Sequence, residues 1–105
     1  MSHATSENVG TRLLFENERV RVWEMVLEPG ARSELHHHRR DYILCIVSGT
    51  SIDADTPAGQ SQRFPVHAGQ VFWVPRGGTE WAVNRSTTRF HEMIVELKDT
   101  PQQTP

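Results

Sequence analysis

The sequence predicts an all-β fold in a single domain. Strand-length stretches rich in Val, Ile, Phe, Trp and Thr alternate with glycine and proline at short intervals, which is typical of a β-sandwich or a β-barrel. No window shows the periodicity of an amphipathic helix. At 105 residues, the chain has room for one domain with one modest hydrophobic core.

The strands can be assigned in order along the chain. Residues 19–28 place valines on one face and Trp23, Met25 and Leu27 on the other, as expected of a strand that is buried on both sides. Residues 42–47 form a continuous apolar run and predict a central strand. The other predicted strands are 50–54 and 61–66, joined by a hairpin loop, then 71–74, which ends before a proline, and 89–97.

Polar segments flank the predicted strands at both ends of the chain. We expect a flexible N-terminal segment over residues 1–10, a barrel domain over residues 11–98 and a flexible tail over residues 99–105. The central run 42–47 is apolar on both faces, so one face can fill the core while the other needs a cover. Because no helix is predicted to cover it, we expect a homodimer packed sheet to sheet.

Net charge and cysteine content limit the class of function. The formal net charge is −2, and the only adjacent basic pair is Arg39-Arg40, so no broad positive field attracts nucleic acid or an anionic membrane. The N-terminus lacks the apolar core of a signal peptide, and no apolar run approaches about 18 residues. A single cysteine, Cys45, cannot form an internal disulfide. We therefore expect a cytoplasmic protein without nucleic-acid or membrane partners.

Three consecutive histidines, His36, His37 and His38, carry the strongest chemical signal. On a β-strand, alternate side chains share a face, so His36 and His38 point the same way with Cα atoms about 6.6 Å apart. His37 points to the other side. Two imidazoles at this spacing can converge on one metal ion, whereas a solvated basic patch with the following arginines is the alternative reading.

The histidines belong to a longer pattern that begins at Gly30 and ends at Gly49. Five residues separate Gly30 from His36, one residue separates His36 from His38, and Tyr42 follows four positions later. This matches the spacing G-x5-H-x-H-x3,4-E-x6-G, with Tyr42 at the glutamate position. The pattern therefore keeps both histidines and both glycines.

A second pattern runs from Gly69 to Asn84 and matches G-x5-P-x-G-x2-H-x3-N. Gly69, Pro75, Gly77 and Asn84 occupy their positions, and Glu80 stands at the histidine position. In this order, the two patterns resemble the two motifs of the cupin family, which are small double-stranded β-helix, or jelly-roll, barrels. Together with the flanking strands, the resemblance covers about residues 18–97 of the chain.

The resemblance implies a barrel whose strands carry metal ligands inward. In metal-binding cupins, three histidines and a glutamate hold Fe, Mn, Ni, Zn or Cu; this chain keeps His36 and His38 and has Tyr42 and Glu80 at the other positions. Two imidazoles and one carboxylate are also the ligand set of non-haem Fe(II) sites and of catalytic zinc sites. We therefore expect His36, His38 and Glu80 to bind a divalent transition metal: Fe, Mn, Ni or Zn.

Four further residues are candidates for the same site. Tyr42 is expected to be a hydrogen-bond or proton donor at the pocket wall, with metal ligation as the alternative. His91 is a candidate proton donor or acceptor if its side chain points inward and that of Glu92 outward, and the two roles could be exchanged. Arg76 is a candidate anchor for an anionic substrate, and Trp81 is expected to line the mouth. A shift of one residue would put Trp81, which cannot ligate, at the position of Glu80.

Two functions follow from this site. The first is a metal-dependent enzyme, an oxygenase, isomerase or lyase that acts on a small polar or carboxylate-bearing metabolite. The second is a non-catalytic module that binds a small molecule or a metal in a degenerate site. Both take a small-molecule ligand.

Overall fold

The computed structural model describes residues 5–6 and 8–98, and within this part of the chain it contains strands and no helix. The all-β prediction is confirmed. Accordingly, no helix of the described residues is long and apolar enough to cross a membrane. The strands are β1 (Arg12–Glu16), β2 (Val20–Leu27), β3 (His36–His37), β4 (Tyr42–Ser48), β5 (Ser51–Asp55), β6 (Ser61–Pro65), β7 (Val71–Val74), β8 (Thr79–Val83) and β9 (Phe90–Leu97).

Two antiparallel sheets form the barrel. The larger has the strand order β1-β2-β9-β4-β7, and the smaller has the order β3-β8-β5-β6. Consecutive strands repeatedly cross from one sheet to the other, as in a jelly roll. The core lies between the sheets, with Trp23, Met25, Phe90 and Ile94 from the larger sheet and Ala82 from the smaller.

The strands predicted from long apolar runs lie where the sequence placed them. The strands β2, β4, β7 and β9 agree with the predicted ranges to within a residue or so. The strands β1 and β8 were not predicted. Every residue of β1 is exposed, and β8 carries Glu80 on its inner face, so neither shows the apolar alternation that identifies a strand.

Two residues of the patterned segments have a structural role. Gly49 has a φ of 131°, and a Cβ atom added there would lie 3.0 Å from the Phe90 ring, so both the backbone and the packing require glycine. Asn84 is fully buried, and its side-chain amide donates hydrogen bonds to the carbonyls of Leu27 and Thr88, both at 2.8 Å. Asn84 therefore ties the end of β2 to the turn before β9.

The packed part of the chain begins before residue 11. Ser6 forms a parallel bridge with His36, and the side chain of Val9 is only 1% exposed. These residues belong to the segment that was expected to be flexible. Residues 1–4, Glu7 and the tail 99–105 lie outside the described residues.

Candidate metal centre

His36 and Glu80 face each other across two short strands. They are Cα partners in the antiparallel pair β3–β8, so their side chains leave the smaller sheet on the same face. That face points into the barrel, because both residues line its cavity. The pairing puts Glu80, and not Trp81, at the position opposite the first histidine.

The hydrogen bond of His36 determines which ring nitrogen can bind a metal. His36 Nδ1 lies 3.0 Å from the backbone carbonyl oxygen of Glu34, which can only accept, so Nδ1 carries the proton. In the neutral ring, the lone pair is then on Nε2. A backbone carbonyl that orients a histidine in this way is common around protein-bound metals. Burial also lowers the pKa of His36, which favours the neutral form that binds metals.

His38 is held in place by its backbone and by a stacked ring. Its N–H donates to the carbonyl of Gly78 at 2.8 Å, and its own carbonyl accepts from the N–H of Gly77 at 2.8 Å. The ring of Tyr42 stacks on the imidazole with centroids 4.0 Å apart and an interplanar angle of 15°. Burial, and then the proximity of His36 and His37, lowers the pKa of His38 to about 3.

The ligand atoms of His36, His38 and Glu80 lie within 4.8 Å of one another. Both histidines are buried, with exposed fractions of 2% and 3%. The Nδ1 atom of His38 is buried and has no hydrogen-bond partner among the described residues. A buried polar atom without a partner is costly unless something else binds it. Two neutral imidazoles, one with an unpaired nitrogen, and one carboxylate fit a divalent transition metal.

The structure places Glu92 in the cavity, which is the alternative to an inward His91 that the sequence left open. Its side chain is 6% exposed, and it lines the same cavity as Glu80. Burial, together with the charge of Glu80, raises the pKa of Glu92 to about 8. Burial also raises the pKa of Glu80. The cavity therefore contains a carboxyl group that holds its proton at neutral pH.

Tyr42 lies in the cavity wall, as expected. Its side chain is 5% exposed. Burial, followed by the charges of Glu80, Glu92 and Glu96, raises the pKa of the Tyr42 phenol above its usual range. The phenol is therefore protonated at neutral pH, which favours a hydrogen-bond donor over a phenolate ligand.

The structure does not bring His91 into the cavity. Its Nε2 atom lies 3.1 Å from Oε2 of Glu24, which also pairs with Arg12 on the outer face of the larger sheet. On β9 it is Glu92 that faces inward, so the inward side chain required for a catalytic His91 is not observed. His37 also points away from the cavity, as expected, with its Nδ1 atom 2.7 Å from the Thr79 hydroxyl.

Arg76 and Trp81 are also outside the cavity wall. Arg76 lies in the loop that follows β7, and its Nε atom is 3.3 Å from the carboxylate of Asp41. The Trp81 side chain is on the face of β8 opposite to that of Glu80, and the guanidinium of Arg32 lies 4.9 Å from its ring centroid. The structure therefore assigns neither residue to the cavity that contains the histidines.

The cavity itself measures about 340 Å³ and lies between the two sheets. Its polar groups are the three candidate ligands together with Tyr42, Glu92 and Asp53, and the other lining residues are apolar. Although Asp53 lines the cavity, its side chain leaves the opposite face of β5 from those of Ile52 and Ala54, and its carboxylate is paired with Arg63 and Arg85 on the outer face of the smaller sheet. The remaining polar groups thus belong to the candidate metal centre and its surroundings.

Comparison with known proteins gives similarity at the level of fold and sequence. No family model matches the chain. Over 79 residues, the chain is 29% identical to the "Beta-alanine degradation protein BauB" of Pseudomonas aeruginosa. The aligned residues make up 75% of this chain and 79% of that protein. A cupin domain from Bordetella pertussis Tohama I superposes with a TM-score of 0.77 at 26% identity, covering 93% of this chain and 100% of that one.

A more distant solved structure has the same architecture. An RmlC-like cupin family protein with a double-stranded β-helix fold, from Methanocaldococcus jannaschii, gives a TM-score of 0.70. The sequence identity is 15%, and the match covers 93% of this chain and 87% of that one. At this identity the likeness concerns the fold alone.

Proposed function

The chain belongs to the cupin family, and we propose that it is a metal-dependent enzyme that acts on a small organic molecule inside its barrel. The observation that carries the proposal is the convergence of His36, His38 and Glu80 within 4.8 Å in a largely apolar cavity between the two sheets. A divalent metal held there supplies a Lewis acid with coordination positions open to a substrate oxygen. The ligand set suits Fe, Mn, Ni or Zn.

The residues around the centre contribute fixed polarity and protons. The carbonyl of Glu34 fixes the ring of His36, and Tyr42 fixes the ring of His38 by stacking. Tyr42 and Glu92 both hold a proton at neutral pH, because burial raises both pKa values. A substrate oxygen in the cavity can therefore receive a hydrogen bond or a proton from the wall. Such groups suit proton transfer in an isomerase or a lyase, and an oxygenase would require a redox-active metal in addition.

The printed name of the relative in Pseudomonas aeruginosa supports a metabolic role. That protein is named for the degradation of β-alanine, a small metabolite. For this chain we infer only the general class, the conversion of a small metabolite with an oxygen-bearing group. Cys45 is a free cysteine and the only one in the sequence, which suits a reducing compartment, so we place this activity in the cytoplasm.

Elemental analysis of protein purified without chelators or a metal column tests the proposal. We expect about one transition-metal ion per chain, with an occupancy that falls by at least about tenfold in His36→Ala and in Glu80→Ala. His37→Ala is the matched control, because its ring lies on the other face of β3. Absence of metal under supplementation with Fe, Mn, Ni and Zn would contradict the proposal and leave the non-catalytic binding module. Full occupancy in Glu80→Ala would exclude Glu80 as a ligand.

We also propose that the protein is a homodimer that packs through the outer face of the larger sheet. Cα partners form a continuous apolar row across all five strands, and the residues at its two ends, Trp73 and Phe15, are 60% and 53% exposed. The row consists of Trp73, Ile43, Val95, Val22 and Phe15. An apolar face of this kind is unusual on a monomer.

The area of this face and the composition of the rest of the chain favour a second copy of the protein as the partner that covers it. The five strands have 5, 8, 8, 7 and 4 residues, which at about 3.3 Å per residue and about 4.8 Å between strands gives roughly 500 Å² before side-chain relief is counted. This is of the order of the ~800 Å² per partner of a standard interface. The segments outside the described residues, 1–4 and 99–105, contain few apolar side chains. The outer face of the smaller sheet differs, because Arg63 and Arg85 form ion pairs with Asp53 there.

A further inference from the structure

The cavity wall has two chemically distinct parts. One is the metal centre with Tyr42 and Glu92, and the other is a hydrophobic surface to which both sheets contribute. The larger sheet contributes Leu44, Ile46 and Phe72, and the smaller sheet contributes Ile52 and Phe64. These side chains neither donate nor accept hydrogen bonds, so they select a ligand by its shape and hydrophobicity alone.

The charges of the wall are acidic or already neutralised. Among the described residues that line the cavity there is no lysine or arginine. Arg63 and Arg85 reach the carboxylate of Asp53, but neither lines the cavity. A second anionic group on a ligand would therefore have no cationic side chain to meet, and it would approach the carboxylate of Glu80. Burying a charge without a partner is strongly unfavourable.

The size of the cavity limits the ligand further. At roughly 30 Å³ for each water-sized group, 340 Å³ accommodates on the order of ten non-hydrogen atoms. One or two of these can be oxygens that reach the metal centre. The rest would contact hydrophobic side chains, where hydroxyl or amino groups would lose their hydrogen bonds to water.

We propose that the ligand of this cavity is an amphipathic molecule, with a single oxygen-bearing head group at His36, His38 and Glu80 and an acyl or aromatic body against the hydrophobic wall. This inference rests on the proposed function for the place of the head group, whereas the apolar body follows from the wall itself. It narrows the expected class of small polar metabolites, since sugars and dicarboxylates do not fit such a wall.

Alkyl hydroxamates of increasing length provide the first test, because a hydroxamate binds metals through two oxygens while its chain reports on the wall. Isothermal titration calorimetry on the zinc-loaded protein is expected to give about fourfold tighter binding per added methylene from acetohydroxamate to hexanohydroxamate. Succinic monohydroxamate, which has a charged tail, is expected to bind at least about tenfold more weakly than pentanohydroxamate. Equal affinities along the series would overturn the inference.

Two neighbouring positions provide matched variants. Phe72 lines the cavity, whereas Val71 is 65% exposed on the opposite face of β7. We expect Phe72→Asn to reduce the gain per methylene and Val71→Asn to leave it unchanged. Both positions are partly exposed, so both variants are expected to fold, which a thermal melt checks.

A metal-free series separates this inference from the proposed function. Chemical shifts of the chelator-treated protein are followed with 1-butanol, 1-hexanol and 1-octanol, which need no metal. If the longer alcohols bind more tightly at the cavity residues, the inference of an apolar ligand is supported. If the same protein takes up no zinc, the proposed metal site is contradicted. Zinc uptake with no dependence on chain length in either series would contradict the apolar ligand and leave the metal site intact.

Discussion

His36 lies directly opposite Glu80 across the antiparallel strands β3 and β8, and both side chains enter the barrel cavity. This cross-strand relationship joins two segments that are more than forty positions apart in the sequence. His38, two residues after His36, completes a cluster whose ligand atoms lie within 4.8 Å of one another. With Glu80 at the histidine position of the second motif, the three side chains still form one cluster of possible ligands.

Tyr42→Phe tests whether the phenol is a ligand or a wall group. The variant keeps a ring to stack on His38, where the centroids are 4.0 Å apart, but it loses the O–H group. Because burial holds the phenol in its protonated form, we expect metal occupancy to stay within about twofold of the wild type. Elemental analysis measures it. Loss of the metal in Tyr42→Phe would identify the phenol as a fourth ligand.

Glu92→Gln is expected to change the pH dependence of stability in the metal-free protein. The pKa of Glu92 is about 8 in the folded chain against 4.5 ordinarily, so the folded state holds the proton more tightly. Below pH 4.5 the Glu92 carboxyl is protonated in both the folded and the unfolded state, so it does not affect the free energy of unfolding. Between pH 4.5 and about 8, the unfolded state loses the proton more readily, so the free energy of unfolding falls as the pH rises. The variant should gain at least about 4 °C in Tm relative to the wild type across this window.

Thermal melts at several pH values measure this difference, with Glu18→Gln as a control at an exposed position. The control should follow the wild-type curve throughout. A constant offset between Glu92→Gln and the wild type would show that Glu92 titrates normally, and the account of a protonated carboxyl in the cavity would then be incorrect.

Asn84→Ala is expected to destabilise the barrel. The alanine leaves the carbonyls of Leu27 and Thr88 without their buried hydrogen bonds, which we expect to lower the free energy of unfolding by about 2–4 kcal/mol. Urea denaturation measures the change. The neighbouring exposed residue Thr87 provides the control Thr87→Ala, and a loss no greater than that of the control would contradict the structural role of Asn84.

Trp73→Arg tests the proposed dimer. The substitution places a charge in the apolar row of the larger sheet, where a second copy would bury it, so we expect the dimer to become a monomer. Light scattering at micromolar concentration measures the mass. Gln62→Arg adds the same charge at an exposed position on β6 and should remain a dimer. A monomeric wild type would contradict the proposal.

The fold was predictable because single positions of the barrel accept only one type of residue. Gly49 must be glycine for its own backbone and for the adjacent Phe90 ring, and Asn84 must be an amide for two nearby carbonyls. Such requirements leave fixed spacings in the sequence. The ligand positions His36 and Glu80 occur within the same spacings, so they could be identified with the fold.

The inward residue of β9 could not be predicted from the sequence, for a physical reason. The inner set of this strand includes the carboxylates of Glu92 and Glu96, whereas the outer set combines His91 with apolar residues such as Val95. Hydrophobicity alone would choose the opposite orientation. The outer residue Val95 belongs to the apolar row that crosses the larger sheet, which is a property of the assembled sheet and not of the segment.

Anomalous diffraction from crystals grown with zinc, measured on both sides of the zinc absorption edge, tests the metal site most directly. We expect one strong anomalous peak per chain between the side chains of His36, His38 and Glu80. Peaks only at surface histidines such as His67, with no density in the barrel, would contradict this expectation.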